Sequence, residues 1–295
     1  MLISGTAALL ILAACGESSP AADTTTGTVA PSTAPPTSLP TTSPPTSTPV
    51  TSPGAEPYDH PTGGDEAVIE ISYEGGFTTP ELLFSRAPLL LVTGDGRVIT
   101  EGPVPAIFPG PLLPSLVERS ITEDGVQALL AKADELGLLA DTAYAPNDQI
   151  ADAADTVVRI TVDGTTYTHS AYALGFEGEK DAGRANLFEF VTAATDLAGT
   201  VGEGQLGTER PLASDTYLMR ATPVDPATMD TELPPTVVDW PANASVRLAD
   251  ATECAELPAA EGDPLFAEAT QLTFFTDGGV TYQVAATLAV PGRSC

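Results

Sequence analysis

Alternation between apolar and polar residues predicts a series of short β-strands in residues 65–295. Apolar side chains at every second position line one face of a sheet, which is the pattern of a half-buried strand. Several of these segments flank Asp and Gly residues, and this combination is typical of the tight turn of a β-hairpin. The predicted hairpins join 89–92 to 97–100, 156–162 to 165–170, and 272–276 to 280–288, and further strands are expected at 67–73, 216–222 and 246–248.

A spacing of three to four residues between apolar positions replaces this alternation in two segments and predicts two main helices. Thr122 precedes the first helix and is suited to cap its N-terminus, while Gly137 is suited to end it. The second helix is expected at 182–197, with Gly199 as its stop. Its inward-facing side chains are predicted to be Leu187, Phe188, Val191 and Leu197.

These elements together indicate an α+β fold in which antiparallel, hairpin-rich sheets pack against the two main helices. The irregular spacing of the turns argues against a repeat protein. A loop at 199–213 separates two groups of strands. We therefore expect an α+β domain at 65–205 and a smaller, β-rich domain at 206–295.

Residues 16–64 have a different composition, in which Thr, Ser and Pro dominate and large apolar side chains are nearly absent. Such a segment cannot bury enough apolar surface to offset the entropy that ordering costs. Its prolines favour an extended polyproline II conformation, which would let it reach roughly 150 Å. We expect a disordered tether that acts as a spacer, with or without glycans on its hydroxyl groups.

The chain begins with a short apolar segment that ends in Leu12-Ala13-Ala14-Cys15. This sequence resembles the lipobox of bacterial lipoproteins, in which the Cys sulfur receives a diacylglyceryl group and the signal peptide is cut just before that Cys. The resemblance implies a signal peptide at 1–14 and a lipidated Cys15, although no Lys or Arg precedes Cys15 as in a usual signal peptide. The layout as a whole resembles uncharacterised secreted lipoproteins of high-GC Gram-positive bacteria.

The same segment bears on how the protein meets the membrane. Its apolar run is shorter than the about 20 residues that a spanning helix needs. We therefore expect a lipid anchor at Cys15 that holds the protein on the extracytoplasmic face of the cell membrane. The alternative is a short buried helix in which the Cys15 side chain belongs to the protein core.

The charge of the chain excludes some classes of partner. Eleven Lys and Arg stand against forty Asp and Glu, a formal net charge of −29. Such a surface repels phosphate backbones, so we expect no nucleic-acid partner. Basic residues are also too few to hold the protein on anionic lipid. Only four of the acidic residues lie in 16–64, so the excess belongs to the folded body.

If Cys15 is lipidated, Cys254 and Cys295 remain as a pair. An even number of cysteines in an oxidising compartment predicts a disulfide. The bond would close a loop of 42 residues. Loop-closure entropy assigns such a bond about 4 kcal/mol of stability.

Motifs that would indicate catalysis or cofactor binding give weak signals. Residues 202–207 fit G-x-G-x-x-G, but a helix is predicted before them where a dinucleotide site needs a strand. We interpret them as a flexible interdomain loop. The motifs G-x-S-x-G, H-E-x-x-H and S-x-x-K are absent. Trp240, Tyr217 and Phe266 are expected in the core.

The histidines and one acidic run are the remaining candidates for a site. His60 falls in the tether, and His169 is expected on a strand surface as a hydrogen-bonding residue rather than a catalytic one. The densest run of oxygen ligands lacks the EF-hand order, so a solvated acidic loop is favoured over a calcium site. That run consists of Asn147, Asp148, Asp152 and Asp155.

These observations assign no catalytic residue, no metal ligand and no cofactor. We expect a non-enzymatic envelope protein that binds another protein or a wall glycan. The alternative is a secreted hydrolase that uses Asp and Glu for acid–base chemistry, because paired carboxylates have no sequence signature of their own.

Overall fold

Two β-sheets, with helices packed on them, build the body of the protein. The structure is a computed structural model, and it describes residues 57–147, 149–176, 181–228 and 233–295. The predicted α+β fold with antiparallel-rich sheets is confirmed. The predicted signal peptide at 1–14, Cys15 and the tether as far as residue 56 lie outside the described residues.

The first sheet has seven described strands, and all of their pairings are antiparallel. In chain order they are β1 (Ala67–Gly75), β2 (Leu90–Thr93), β3 (Arg97–Glu101), β4 (Leu116–Ser120), β5 (Ala154–Val162), β6 (Thr165–Tyr172) and β7 (Arg210–Pro211). Their order across the sheet is β6-β5-β1-β2-β3-β4-β7. Two of the predicted hairpins are confirmed as β2–β3 and β5–β6. The sequence pattern did not predict β4 or β7.

The second sheet is formed by the rest of the chain. Its strands are β8 (Thr216–Pro223), β9 (Thr236–Asp239), β10 (Ala255–Pro258), β11 (Thr273–Asp277) and β12 (Val280–Leu288). They lie in the order β10-β8-β12-β11-β9, and only the β9–β11 pairing among them is parallel. The predicted hairpin β11–β12 is confirmed.

The strand predicted at 246–248 is wrong, and a side chain explains why. Leu248 begins a short 3-10 turn, Leu248–Asp250. Its backbone N–H donates to Asp277 Oδ2 at 2.9 Å, and Arg247 forms an ion pair with the same carboxylate. The Leu248 N–H, which would join a strand ladder, is therefore used by a side chain on β11.

Five described helices connect these strands. They are α1 (Pro80–Ser85), α2 (Glu123–Glu135), α3 (Ala182–Thr195), α4 (Leu197–Val201) and α5 (Ala259–Phe266). The first predicted helix is confirmed as α2, because the Thr122 side chain accepts from the N–H of Gly125 and Gly137 follows with a φ of +73°.

The end of the second predicted helix requires correction. The helix breaks at Asp196, whose side chain accepts from the N–H of Gly199 and so starts α4. Gly199 therefore lies inside a helix, and Gly202 ends it with a φ of +90°. The inward aromatic residue of α3 is Phe190, which is fully buried, whereas Phe188 is 44% exposed. Phe188 and Phe190 are two residues apart, about 200° around the helix, so their side chains point to nearly opposite sides of α3.

The two faces of the first sheet have different coverings. Helices α2 and α3 cover one face, where Ile69 and Ile71 of β1 join a core with Leu129 and Phe190. The opposite face carries Leu91, Ile99 and Leu116, which pack with Leu212 and Val290. Alternate residues of a strand point to opposite faces, so Glu70, Ser72 and Glu74 share this second face with Leu91.

An aromatic cluster fills the core of the second sheet. The ring centroids of Tyr217 and Phe266 are 5.2 Å apart, and those of Trp240 and Phe275 are 5.5 Å apart, both in edge-to-face geometry. The Trp240 indole N–H donates to the carbonyl of Val246 at 2.9 Å. The core role predicted for Trp240, Tyr217 and Phe266 is confirmed.

The folded body begins earlier than residue 65. The Tyr58 hydroxyl donates to Asp134 of α2 at 2.8 Å, and the Asp163 N–H donates to the Asp59 carbonyl at 2.7 Å. Residues 57–64, which composition assigned to the tether, therefore lie on the body. Strand β7, which follows the domain boundary expected at 205/206, pairs with β4 of the first sheet.

Candidate ligand-binding clefts at the C-terminal segment

The C-terminal segment, residues 290–295, follows β12 and runs between two clefts. Residues 290–293 line both of them. The first cleft has a volume of about 370 Å³ and lies against β1, β2 and the residues after α1. The second has a volume of about 470 Å³ and lies against residues 212–216. Both volumes are within the range of small-molecule sites.

The C-terminal segment is fixed at two points. The predicted disulfide between Cys254 and Cys295 is present, with 5.4 Å between the Cα atoms, and it ties the last residue to the edge of the second sheet beside β10. Upstream, Arg293 donates to the carbonyls of Arg86 at 3.1 Å and Phe84 at 2.5 Å. Its guanidinium also lies 5.9 Å from the centroid of the Phe84 ring. The segment therefore forms a wall between the clefts, and the disulfide and the hydrogen bonds of Arg293 fix its position.

Side chains of β1 supply the polar floor of the first cleft. Glu70, Ser72 and Glu74 line it because they alternate with the buried residues of the strand. Arg159 of β5 lies 3.5 Å from the Glu70 carboxylate and 2.7 Å from that of Glu74. One neighbouring guanidinium thus pairs with both carboxylates.

Two further arginines line the first cleft. Arg86 Nη1 donates to the carbonyls of Tyr73 at 3.1 Å and Gly75 at 3.0 Å. Arg293 donates to carbonyls as described above. Neither guanidinium forms an ion pair with a carboxylate in the described part of the chain. Burial lowers the pKa of Arg293, and the charge of Glu70 acts in the opposite direction.

The hydroxyl of Ser72, which lines the first cleft, has an unusual environment. Its Oγ is buried and has no hydrogen-bond partner among the described residues. A buried polar group without a partner costs roughly 1–3 kcal/mol. The hydroxyl is therefore a polar group that the fold itself does not satisfy.

The second cleft differs because its charges are already matched. Arg97 Nε lies 3.0 Å from Asp95 Oδ2, and Arg97 Nη2 donates to the Gly64 carbonyl at 2.8 Å. Burial acts to raise the pKa of Asp95, but hydrogen bonds from Thr93 and Arg97 lower it below its usual range. Arg97 therefore stabilises a loop, and the Asp95 carboxylate balances its charge.

His169 does not lie on the strand surface as predicted, because its side chain is buried. Nε2 lies 2.8 Å from the Leu138 carbonyl, and Nδ1 lies 2.7 Å from the Tyr144 hydroxyl. A carbonyl can only accept, so Nε2 carries the proton and Nδ1 accepts from Tyr144. Both ring nitrogens are used, which supports the predicted hydrogen-bonding role.

His60 lies on the body and not in the tether. Its Nδ1 is 2.7 Å from the Pro61 carbonyl and its Nε2 is 3.1 Å from Glu123 Oε1. A hydrogen bond from Gln127, together with one from His60, lowers the pKa of Glu123 against the opposing effect of burial. These contacts join residues 58–61 to the start of α2.

The other sequence motifs do not meet at the clefts. In the segment 202–207, the Thr122 N–H donates to the Gln205 carbonyl at 2.9 Å and the Gly207 N–H donates to that of Ser120 at 2.8 Å. These bonds tie the segment to the β4–α2 junction, in contrast to the flexible loop expected, and a helix precedes it as predicted.

The acidic run interpreted as a solvated loop rather than a calcium site is only partly described. Asp148 lies outside the described residues, and Asp155 accepts from the Ser170 hydroxyl at 3.3 Å. Within the described ranges no three His, Cys, Asp or Glu side chains form a group that could hold a metal ion. The same ranges contain no helix with the length and apolarity needed to cross a membrane.

Sequence reasoning did not identify Ser72, Arg86 or Arg293. No motif links them, since Arg86 and Arg293 are 207 positions apart. The one available signal was the scarcity of basic residues, which makes any arginine without a carboxylate partner notable. No protein-family model, curated protein or solved structure matches this chain.

Proposed function

We propose that this protein is a lipoprotein anchored to the extracytoplasmic face of the cell membrane, with a non-enzymatic binding role in the envelope. The sequence Leu12-Ala13-Ala14-Cys15 carries the proposal. The Cys254–Cys295 disulfide supports it, because structural disulfides persist in oxidising compartments.

The placement of the first described residues is consistent with a tethered body. Tyr58 and Asp59 bond to α2 and to the β5–β6 turn. Helix α2 covers one face of the first sheet, and the first cleft lies on the other face. A chain that arrives from the membrane therefore attaches away from that cleft and leaves it open to a ligand.

The alternative, a hydrolase with Asp and Glu chemistry, lacks a specific supporting observation in the described part of the chain. A general acid needs a carboxyl group whose pKa is raised toward the working pH. The pKa values of Asp95 and Glu123 are shifted, but both are lowered, by the contacts given above. Neither is suited to that role.

The anchor is tested by expressing the full chain in a Gram-positive bacterium, with a short Lys-containing leader before Met1. We expect the protein to partition into the detergent phase of a Triton X-114 extract, and its N-terminal peptide to begin at Cys15 with added lipid mass. Cys15→Ser should abolish both results. Cys295→Ser is the matched control, because it removes a cysteine without touching the lipobox. An unmodified Cys15 in a fully aqueous wild-type protein would refute the anchor.

The binding role is tested by crosslinking on intact cells. A photoreactive amino acid is placed at Leu83, which lines the first cleft and is 39% exposed. The control position is Phe188, which has similar exposure but lies on α3, on the helical face. We expect an adduct from position 83 and none from 188. Equal labelling, or none from either position, would contradict a binding role for this cleft.

A further inference from the structure

Two arginines that line the first cleft, Arg86 and Arg293, form no ion pair with a carboxylate within 4 Å among the described residues. Among the described arginines, Arg97, Arg159, Arg210 and Arg247 lie within 4 Å of a carboxylate. Arg86 and Arg293 instead bond only to backbone carbonyls.

Both guanidiniums keep donors for a ligand. A guanidinium has five N–H donors. The bonds of Arg86 to protein leave from Nη1, so its Nε and Nη2 have no acceptor among the described residues. The bonds of Arg293 leave from Nη1 and Nη2, so its Nε is likewise unused there. Hydrogen bonds from arginine to a carboxylate are about twice as strong as neutral ones.

A second, independent feature of the same cleft points to a ligand. The buried Ser72 hydroxyl lacks a partner, and it lines the cleft together with both arginines. Leu83 and Leu91 provide apolar surface in the same cleft. The cleft thus offers charged donors, a hydroxyl and a short apolar wall within about 370 Å³.

The surrounding charge limits what can bind. A polyanion would be repelled by a protein of net charge −29, and Glu70 and Glu74 border the cleft. A single carboxylate brings one negative charge to the arginines and leaves the rest of the ligand uncharged. A monocarboxylate is therefore favoured over phosphate-rich polymers.

We propose that the first cleft binds the carboxylate of a small envelope ligand through Arg86 and Arg293, with Ser72 hydrogen-bonded to a hydroxyl or amide of the same ligand. The inference rests on the proposed envelope-binding role. Two wall components share this chemistry: an acidic sugar of the glycan, and the C-terminal residue of a wall peptide.

The test uses the full chain with Cys15→Ser, which removes the lipid and leaves both other cysteines. It is titrated by calorimetry at low salt with N-acetylmuramic acid and with N-acetyl-D-alanyl-D-alanine. N-acetylglucosamine and the dipeptide amide are the uncharged controls. We expect one acid to bind at least about tenfold more tightly than its uncharged control, and the acid that binds identifies the source. We also expect added salt to weaken the binding.

Variants separate the cleft from general effects. Arg86→Gln should weaken binding about tenfold or more, and Ser72→Ala about threefold, the latter without loss of stability because its hydroxyl has no partner to lose. Arg220→Gln is the matched control, since Arg220 also donates to a backbone carbonyl, that of Thr252 at 3.2 Å, and does not line the cleft.

Binding of neither acid, equal binding of the uncharged controls, or an equal effect of Arg220→Gln would overturn the proposal. Because the titrated protein carries no lipid, these outcomes are independent of the detergent-partition result for the anchor.

Discussion

The Tyr144 hydroxyl lies 2.7 Å from Nδ1 of the buried His169, and this contact holds the imidazole in its neutral form with the proton on Nε2. Burial lowers the pKa of His169, while the Leu138 carbonyl and the charge of Asp141 act in the opposite direction. In the unfolded chain the pKa of a histidine is about 6.5.

This relationship predicts a pH-dependent stability. Because the pKa is lower in the fold, the neutral form is favoured by folding, and this contribution is present above about pH 6.5 and lost as the pH falls below it. Between pH 6.5 and 5.5 the loss is at most about 1.4 kcal/mol. Urea unfolding of wild type and His169→Gln at both pH values measures it. The variant should lose less stability than wild type over this range. Since His60 is present in both proteins, parallel losses would contradict the prediction.

Gln127 is expected to fix the first described residues to α2. Its Oε1 accepts from the Tyr58 N–H at 2.8 Å and its Nε2 donates to the Tyr58 carbonyl at 2.9 Å. Gln127→Ala removes both bonds, so the free energy of unfolding should fall by roughly 1–2 kcal/mol. The Tyr58 amide should also lose protection from hydrogen exchange. Glu135→Ala on the same helix is the control, because Glu135 is exposed and its pair with Lys132 contributes little. Equal losses in the two variants would count against this role.

The orientation of α3 on the sheet predicts different losses of stability for two phenylalanines that are two positions apart. Phe190→Ala removes a fully buried ring and should cost about 3–5 kcal/mol of stability. Phe188→Ala should cost less than about 1 kcal/mol, since that ring is 44% exposed. Thermal unfolding of the two variants in parallel decides between this orientation and the inward Phe188 expected from the sequence. A larger loss at 188 would reverse the assignment.

The disulfide should contribute about 4 kcal/mol. Alkylation of denatured Cys15→Ser protein should add no label before reduction and two labels after it. The double variant Cys254→Ser/Cys295→Ser should unfold at lower urea concentration and, because the C-terminal segment forms a wall of both clefts, should also bind carboxylate ligands more weakly. Alkylation of these cysteines without reductant would contradict the disulfide.

Local sequence chemistry predicted the elements that depend on local interactions. The Asp-Gly turns identified three hairpins, and Thr122 and Gly137 identified the limits of α2, because turn and cap preferences act within a few residues. The strand expected at 246–248 failed because the competing partner of Leu248 is Asp277, 29 positions away.

The first cleft could not be predicted for a related reason. Arg86 and Arg293 lie close together because β12 crosses the second sheet and because the disulfide holds the chain end in place. Ser72 is unusual only because no described residue bonds to its hydroxyl. Both properties arise from tertiary structure, and the sequence around each residue has no distinguishing pattern.

The bonds of Tyr58 and Asp59 have a mechanical consequence. A pull on the chain before Pro57 acts first on α2 and on the β5–β6 turn, through hydrogen bonds between residues 69 to 104 positions apart. Force therefore enters the body on the helical face of the first sheet. The first cleft and the C-terminal segment lie on the opposite face, so the sheet separates the point where the force enters from the cleft.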